Sequence, residues 1–161
     1  MEIIQVTKVN EALAQLVALF RVELRSYKNI PSKPNPEAGR EEMEEYLVAK
    51  FPVYAAVVDG EYAGYVVCRV DDGVVWVESL FVGEEYRRCG IASALHSKAE
   101  ELAASYGDNT VYNYVHPNNH RMIAFLRQRG YTVLNLIEIR KAYPGETLTQ
   151  KIPVGEHEFD Y

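Results

Sequence analysis

The chain is poor in cysteine: Cys68 and Cys89 are the only two in 161 residues. They show no metal-ligand spacing and cannot supply a disulfide framework, so a thiolate metal site and a disulfide-stapled scaffold are both set aside, and no metal is expected. Runs of basic residues are also missing. The net charge is −6 and the lysines and arginines are scattered. A nucleic-acid-binding domain normally gathers them on one face, so that partner is excluded. The negative sign suits a cationic substrate such as an amine, and solubility alone would explain it equally well. No apolar run is long enough to cross a bilayer and no signal peptide opens the chain, which leads to the expectation of a cytoplasmic protein with no membrane partner. There is no internal repeat and no low-complexity tract. A hydrophobic content of 48% at this length suits one domain, 1–161, around a single core.

Read in order, residues 2–6 have strand composition. Thr7 can cap a helix whose apolar stripe is Val9, Leu13, Leu16, Val17, Phe20 and Leu24, ending near Tyr27. Pro31, Pro34 and Pro36 place a loop between Asn29 and Gly39. A second helix is expected from Arg40 to Lys50, with Met43, Tyr46 and Leu47 inward and Glu41, Glu42, Glu44 and Glu45 on a solvated face. Val53–Val58, Tyr62–Val70 and Val74–Val82 read as an antiparallel meander, joined by Asp59-Gly60 and Asp71-Asp72-Gly73. After Gly107 come a strand from Thr110 to His116, a helix opened by Pro117-Asn118-Asn119 and ended by Gly130, and a strand from Tyr131 to Ile139. Leu148 to Ile152 is a candidate last strand, and the acidic tail 153–161 is expected to be loose or docked on a partner subunit in a homodimer. The order β-α-α-β-β-β-α-β-α-β-β implies an α/β fold, with an α+β mixed sheet and helices on both faces. Val74 to His116 forms its strand–helix–parallel-strand unit.

The informative stretch is Glu78 to Tyr106. A β-branched strand runs into Arg87, Arg88, Cys89 and Gly90, and Ile91, Leu95, Ala99 and Leu102 then recur at helical spacing. The first amides of a helix lack intrahelical partners and lie at the positive end of the dipole. Gly90 lets backbone approach a ligand, and Ala92 and Ser93 are small. The arrangement asks for a phosphate or pyrophosphate, although a plain strand–turn–helix connection has the same spacing. A Walker loop is a poor fit because no Gly-Lys-Ser/Thr follows, and a dinucleotide fingerprint is poor because only one glycine is present.

Arg87-Arg88-Cys89-Gly90-Ile91-Ala92 resembles the Q/R-x-x-G-x-G/A signature of the GNAT superfamily, the acyl-CoA-dependent N-acetyltransferases. Glu78 to Val82 is similar to that family's fourth strand, and Asn119 to Tyr131 to its N-x-x-A-x-x-L-Y-x-x-x-G-F segment. The resemblance implies acetyl-CoA as co-substrate and an amine, small molecule or peptide, as acceptor. It implies that backbone groups of Leu80, Phe81 and Val82 pair with the pantetheine arm. Amides of Arg88, Cys89, Gly90, Ile91, Ala92 and Ser93 would hold the pyrophosphate, with Arg87 or Arg88 adding charge. Asn119 would reach the cofactor from the other side, and an N-cap role for it is compatible.

Alternation along the fourth strand places Trp76, Glu78, Leu80 and Val82 on one face and Val75, Val77, Ser79 and Phe81 on the other. A carboxylate among apolar neighbours costs energy unless hydrated, paired or functional, and burial would make Glu78 a better base near neutral pH. A salt bridge or simple exposure remains open. Members of the family with Glu at the matching position use it as base. The family's Tyr, which returns a proton to the leaving thiolate, is replaced here by Leu126. Tyr112, Tyr114 or His116 could serve instead, with Tyr114 as the candidate, or water could serve. The third alternative is a catalytically silent domain that binds or senses acyl-CoA. A generic nucleotide-binding module is a further rival. Cys89 lacks a partnered His nearby, and the resemblance implies direct acyl transfer, so covalent catalysis is not expected.

Overall fold

The computed structural model describes Met1–Tyr161 and resolves into two compact units, Met1–Asn118 and Asn119–Tyr161. In the first unit the order is β1 (Glu2–Gln5), α1 (Glu11–Ser26), α2 (Pro36–Val48), β2 (Val53–Val58), β3 (Glu61–Asp71), β4 (Val74–Val82), α3 (Ile91–Ser105) and β5 (Tyr112–Asn113). The sheet order is β1-β2-β3-β4-β5; the first four strands are antiparallel neighbours and β5 runs parallel to β4. The mixed sheet and the crossover through α3 follow the sequence reading.

Local chemistry accounts for the elements. α1 begins at Asn10, whose side chain accepts a hydrogen bond from Leu13 N–H at 2.8 Å, so the cap is Asn10 and not Thr7. α2 starts four residues earlier than the periodicity suggests, because Asn35 caps Ala38 N–H and Pro36 sits at the first helical position, where its missing donor costs nothing. The β2–β3 and β3–β4 turns carry left-handed Asp-Gly pairs, φ 50° and 88° at Asp59-Gly60 and 49° and 78° at Asp72-Gly73, the twist that joins tightly paired strands.

Leu13, Leu16 and Val17 of α1 and Met43 of α2 pack with Val53, Ala55, Tyr65, Val67 and Phe81 on one face of the sheet. Phe20 meets Tyr65 edge-on at 6.4 Å and Phe81 at 5.8 Å between ring centroids. Each fully buried side chain of this kind contributes about 1.5–3 kcal/mol. The opposite face, which carries Val66 and Cys68, is covered by α3, which packs on β2, β3 and β4. Burial pushes the Cys68 thiol up to about 12, so this cysteine is inert packing.

The second unit contains α4 (His120–Gln128) and a hairpin of β6 (Lys151–Val154) and β7 (His157–Asp160). The element order matches the sequence reading but two strands move. Tyr131 to Ile139 has strand composition and joins no ladder. The tail is not loose: Ile152 pairs with Phe159, and Lys151 reaches Asp160 at 2.9 Å and Glu158 at 3.3 Å. The strand expected over Thr110 to His116 shrinks to Tyr112–Asn113.

Candidate active site

β4 is paired to β3 along its whole length, but β5 meets it only at Trp76 and Val77. From Glu78 to Val82 its second edge has no strand beside it. Gly83 N–H donates to Ala63 O at 2.9 Å, and ladder groups alternate in direction, so Phe81, in phase with Gly83, turns its amide and carbonyl towards β3. Leu80 and Val82 turn theirs to the open edge. Of the three residues expected to offer backbone groups, Phe81 is therefore committed to the sheet. The Val82 carbonyl is taken by Arg87 Nε at 3.0 Å. The open groups are those of Leu80 and the Val82 amide.

Past Val82 the chain makes a single 3-10 turn, Glu84–Tyr86, and reaches Gly90 with φ 80°. α1, α2 and α4 are each capped by an Asn side chain; α3 has no side-chain cap. Its first internal bond is Ala94 N–H to Gly90 O, so the amides of Ile91, Ala92 and Ser93 have no helical acceptor. A Cβ on Gly90 would meet nothing within 4 Å, so the space beside Gly90 at the helix entrance is open. The two arginines separate. Arg87 is a strut: it donates to Glu23 Oε2 at 2.7 Å and to Val82 O, and lies 5.5 Å from the Phe81 ring centroid. Arg88 is exposed, with left-handed φ 65°. It is the cation free to meet an anion at the turn. Cys89 is exposed, and its thiol lies 3.5 Å from Arg87 O, with no base beside it.

Glu78 stands where the register breaks. Val67 pairs with Ser79 and Cys68 with Val77, which leaves Glu78 as the extra residue of a bulge. The bulge overturns the simple alternation. Cys68 and Val77 share the α3 face, whereas Arg69, opposite Trp76, shares the face of Val67, Ser79 and Phe81. Glu78 joins this second face, away from Leu80 and Val82, because its Oε2 accepts from Arg69 Nε at 3.3 Å. It is not sunk among apolar groups: its side chain is 29% exposed and ion-paired. The salt bridge left open by the sequence is present, and its partner is Arg69.

Arg69 also donates through Nη2 to the Tyr114 hydroxyl at 3.0 Å, and its guanidinium lies 4.3 Å from the centre of the Trp76 ring. Trp76 in turn leans on Tyr112 at 5.6 Å. Glu78 and Tyr114, the two candidate catalytic residues, are thus gathered on one guanidinium. The other candidates for the proton donor are otherwise engaged. Tyr112 packs on Trp76. His116 stacks on Tyr27 at 5.9 Å, accepts from Asn118 N–H through Nδ1 at 3.1 Å, and titrates below the usual histidine range because of burial and then the nearby Lys28 charge. In the second unit, Asn119 caps α4 by accepting from Met122 N–H at 3.1 Å, and Leu126 is buried. The sequence reading missed Arg69. The two-residue Asp72-Gly73 turn places it opposite Trp76 by counting back, so a lone cation inside an apolar strand could have signalled it.

Residues 16–131 match the model of the acetyltransferase (GNAT) family, and the chain belongs to that family. Its fold is shared by solved acetyltransferases at low identity. Aminoglycoside 6'-N-acetyltransferase AAC(6')-IG from Acinetobacter haemolyticus has 18% identity and a TM-score of 0.63, over 89% of this chain and 99% of that one. The PaiA N-acetyltransferase of Thermoplasma acidophilum, solved in complex with coenzyme A, has 19% identity and a TM-score of 0.63, over 80% and 89%. Ribosomal-protein-alanine N-acetyltransferase from Brucella melitensis has 13% identity and a TM-score of 0.65, over 89% and 100%. No helix is long and apolar enough to cross a membrane.

Proposed function

We propose that residues 1–161 form one N-acetyltransferase domain that moves an acetyl group from acetyl-CoA directly to a primary amine. The observation that carries this reading is the uncapped entrance of α3, opened by left-handed Gly90 one short turn beyond the strand that bears Glu78. The pyrophosphate would take the amides from Gly90 to Ser93, with Arg88 adding charge-assisted contact. The pantetheine arm would follow the open edge at Leu80 and Val82.

Chemistry then falls to the side chains on β4 and its neighbours. Glu78 takes a proton from the acceptor ammonium, freeing the nitrogen lone pair. The nitrogen attacks the thioester carbonyl, the C–N bond forms, the nitrogen sheds its second proton to solvent as the C–S bond breaks, and Glu78 releases its proton to solvent before the next turnover. Tyr114 gives its hydroxyl proton to the thiolate and regains one from solvent. A thiolate is a tolerable leaving group, so Tyr114 has less to supply than Glu78. Small-molecule and peptide amines both fit the acceptor role, and the acetyltransferases of known structure act on either kind, as the aminoglycoside and ribosomal-protein enzymes do by name.

CoA should raise the melting temperature by binding the folded state preferentially. Gly90→Glu puts a carboxylate at the helix entrance and should abolish that shift. Because Gly90 has φ 80°, any side chain there adds strain of about 1–2 kcal/mol. Gly90→Ala is therefore the control: it lowers the basal melting temperature similarly and retains part of the CoA shift. An undiminished shift in Gly90→Glu would move the pyrophosphate elsewhere.

A further inference from the structure

We infer that Arg69 is a positioning residue for acetyl transfer: one planar guanidinium fixes the base and the proton donor in a single frame. The inference rests on the acetyl-transfer reading, and adds a residue that neither the strand pattern nor the family motifs single out. Arg69 Nε reaches Glu78 Oε2 at 3.3 Å and Nη2 reaches the Tyr114 hydroxyl at 3.0 Å. Its plane is held by the Trp76 ring at 4.3 Å, and Trp76 is braced by Tyr112. Arg69 therefore bridges β4 to the chain just beyond β5, where the ladder has already ended.

The bulge makes this bridge necessary. An extra residue in a strand has no ladder partner to fix its direction, so Glu78 depends on a side-chain contact for its aim. Tyr114 is 58% exposed and lies outside the two-residue β5, so it too lacks a rigid seat. A fork with donors on separate nitrogens can hold two acceptors at once, which a lysine ammonium on its flexible stem does less well. Arg69 touches neither acetyl-CoA nor the amine in this scheme; it acts through Glu78 and Tyr114. As the proton leaves the ammonium for Glu78, the fixed cation keeps the carboxylate in place without itself gaining or losing a proton.

The test is a double-mutant cycle on turnover, with acetyl-CoA and the best amine from a panel, using Arg69→Met, Glu78→Gln and the double variant. Arg69→Met should lower kcat about tenfold to a hundredfold, the loss expected of a misplaced reacting group, with KM for acetyl-CoA and the CoA-induced melting shift unchanged. The double variant should lose less than the product of the two single losses, because Arg69 then has only Tyr114 left to position. If Arg69→Met does not fold, Arg69→Lys keeps a cation beside Trp76 and should still lower kcat at constant KM. Wild-type kcat in the Arg69 variant, or losses that multiply in the double variant, would overturn the inference. Wild-type kcat in Glu78→Gln would instead remove the base assignment on which it rests. A slow Glu78→Gln beside an unaffected Arg69 variant removes the Arg69 role alone.

Discussion

Glu78→Gln is expected to lower turnover on the order of a hundredfold or more while leaving CoA binding intact. The amide keeps the shape of the carboxylate and can still accept from Arg69, so β4 and its bulge should hold. What is lost is the ability to take a proton from the acceptor. A hundredfold fall corresponds to about 2.7 kcal/mol of transition-state stabilisation. The pair is only partly buried, with side-chain exposures of 28% and 29%, and pairs that water still reaches contribute only about 0–1 kcal/mol to stability. The effect on rate should therefore far exceed the effect on folding. Turnover against pH at saturating amine, with the CoA melting shift measured in parallel, separates the two. The acidic limb of the profile should flatten in the variant. Equal turnover would leave a water-only route or a base elsewhere, and loss of the CoA shift would show that Glu78 holds the strand.

The second large effect concerns stability and lies far from the chemistry. Gly39 sits in α2 against α1, and a Cβ there would lie 2.3 Å from Ala14 O and 3.0 Å from Ala18 N. Both are backbone atoms of α1, so no side chain can swing away. The small residues Gly39, Ala14 and Ala18 set the distance between the two helices, and Ala14 and Ala18 are themselves buried. Gly39→Ala gains about 0.5–1 kcal/mol of helix propensity. Forcing the helices apart should cost more, within the roughly 1–3 kcal/mol typical of overpacking or above it. A net loss of about 2 kcal/mol would lower the melting temperature by roughly 4–8 °C. Urea unfolding of both forms measures it. A more stable variant would mean that α2 shifts freely on α1, contrary to the packing of Met43 beside Leu13 and Val17 in one core cluster.

Much of this arrangement is legible in the residues, and the failures have physical causes. The Asp-Gly turns state their own geometry, since left-handed φ at both positions favours these residue types. That made the β2–β4 meander readable, and with it the position of Gly90. The bulge is not readable, because composition gives a strand's tendency and only the partner's register reveals an extra residue. Missing it placed Glu78 on the wrong face. Tyr131 to Ile139 failed differently. Its apolar alternation is real, yet Val133, Leu134 and Leu136 are 88%, 70% and 81% exposed, and an alternating segment without a ladder is not a strand. The reverse holds for the tail, whose acidity suggested looseness while Lys151 gave two of its carboxylates a partner. Arg87 looked interchangeable with Arg88 in the motif, and only the contact with Glu23 from α1 tells them apart.

The central claim is that this chain transfers the acetyl group and does not merely hold acetyl-CoA. The most direct measurement is release of free thiol from acetyl-CoA by the wild-type protein across a panel of primary amines and amine-bearing peptides, with product mass recorded alongside. The account predicts thiol release that requires an amine, saturates with it, and is matched by acetylated product. A protein that is stabilised by CoA and yet releases no thiol with any amine would contradict it and would mark the chain as a silent acyl-CoA-binding domain.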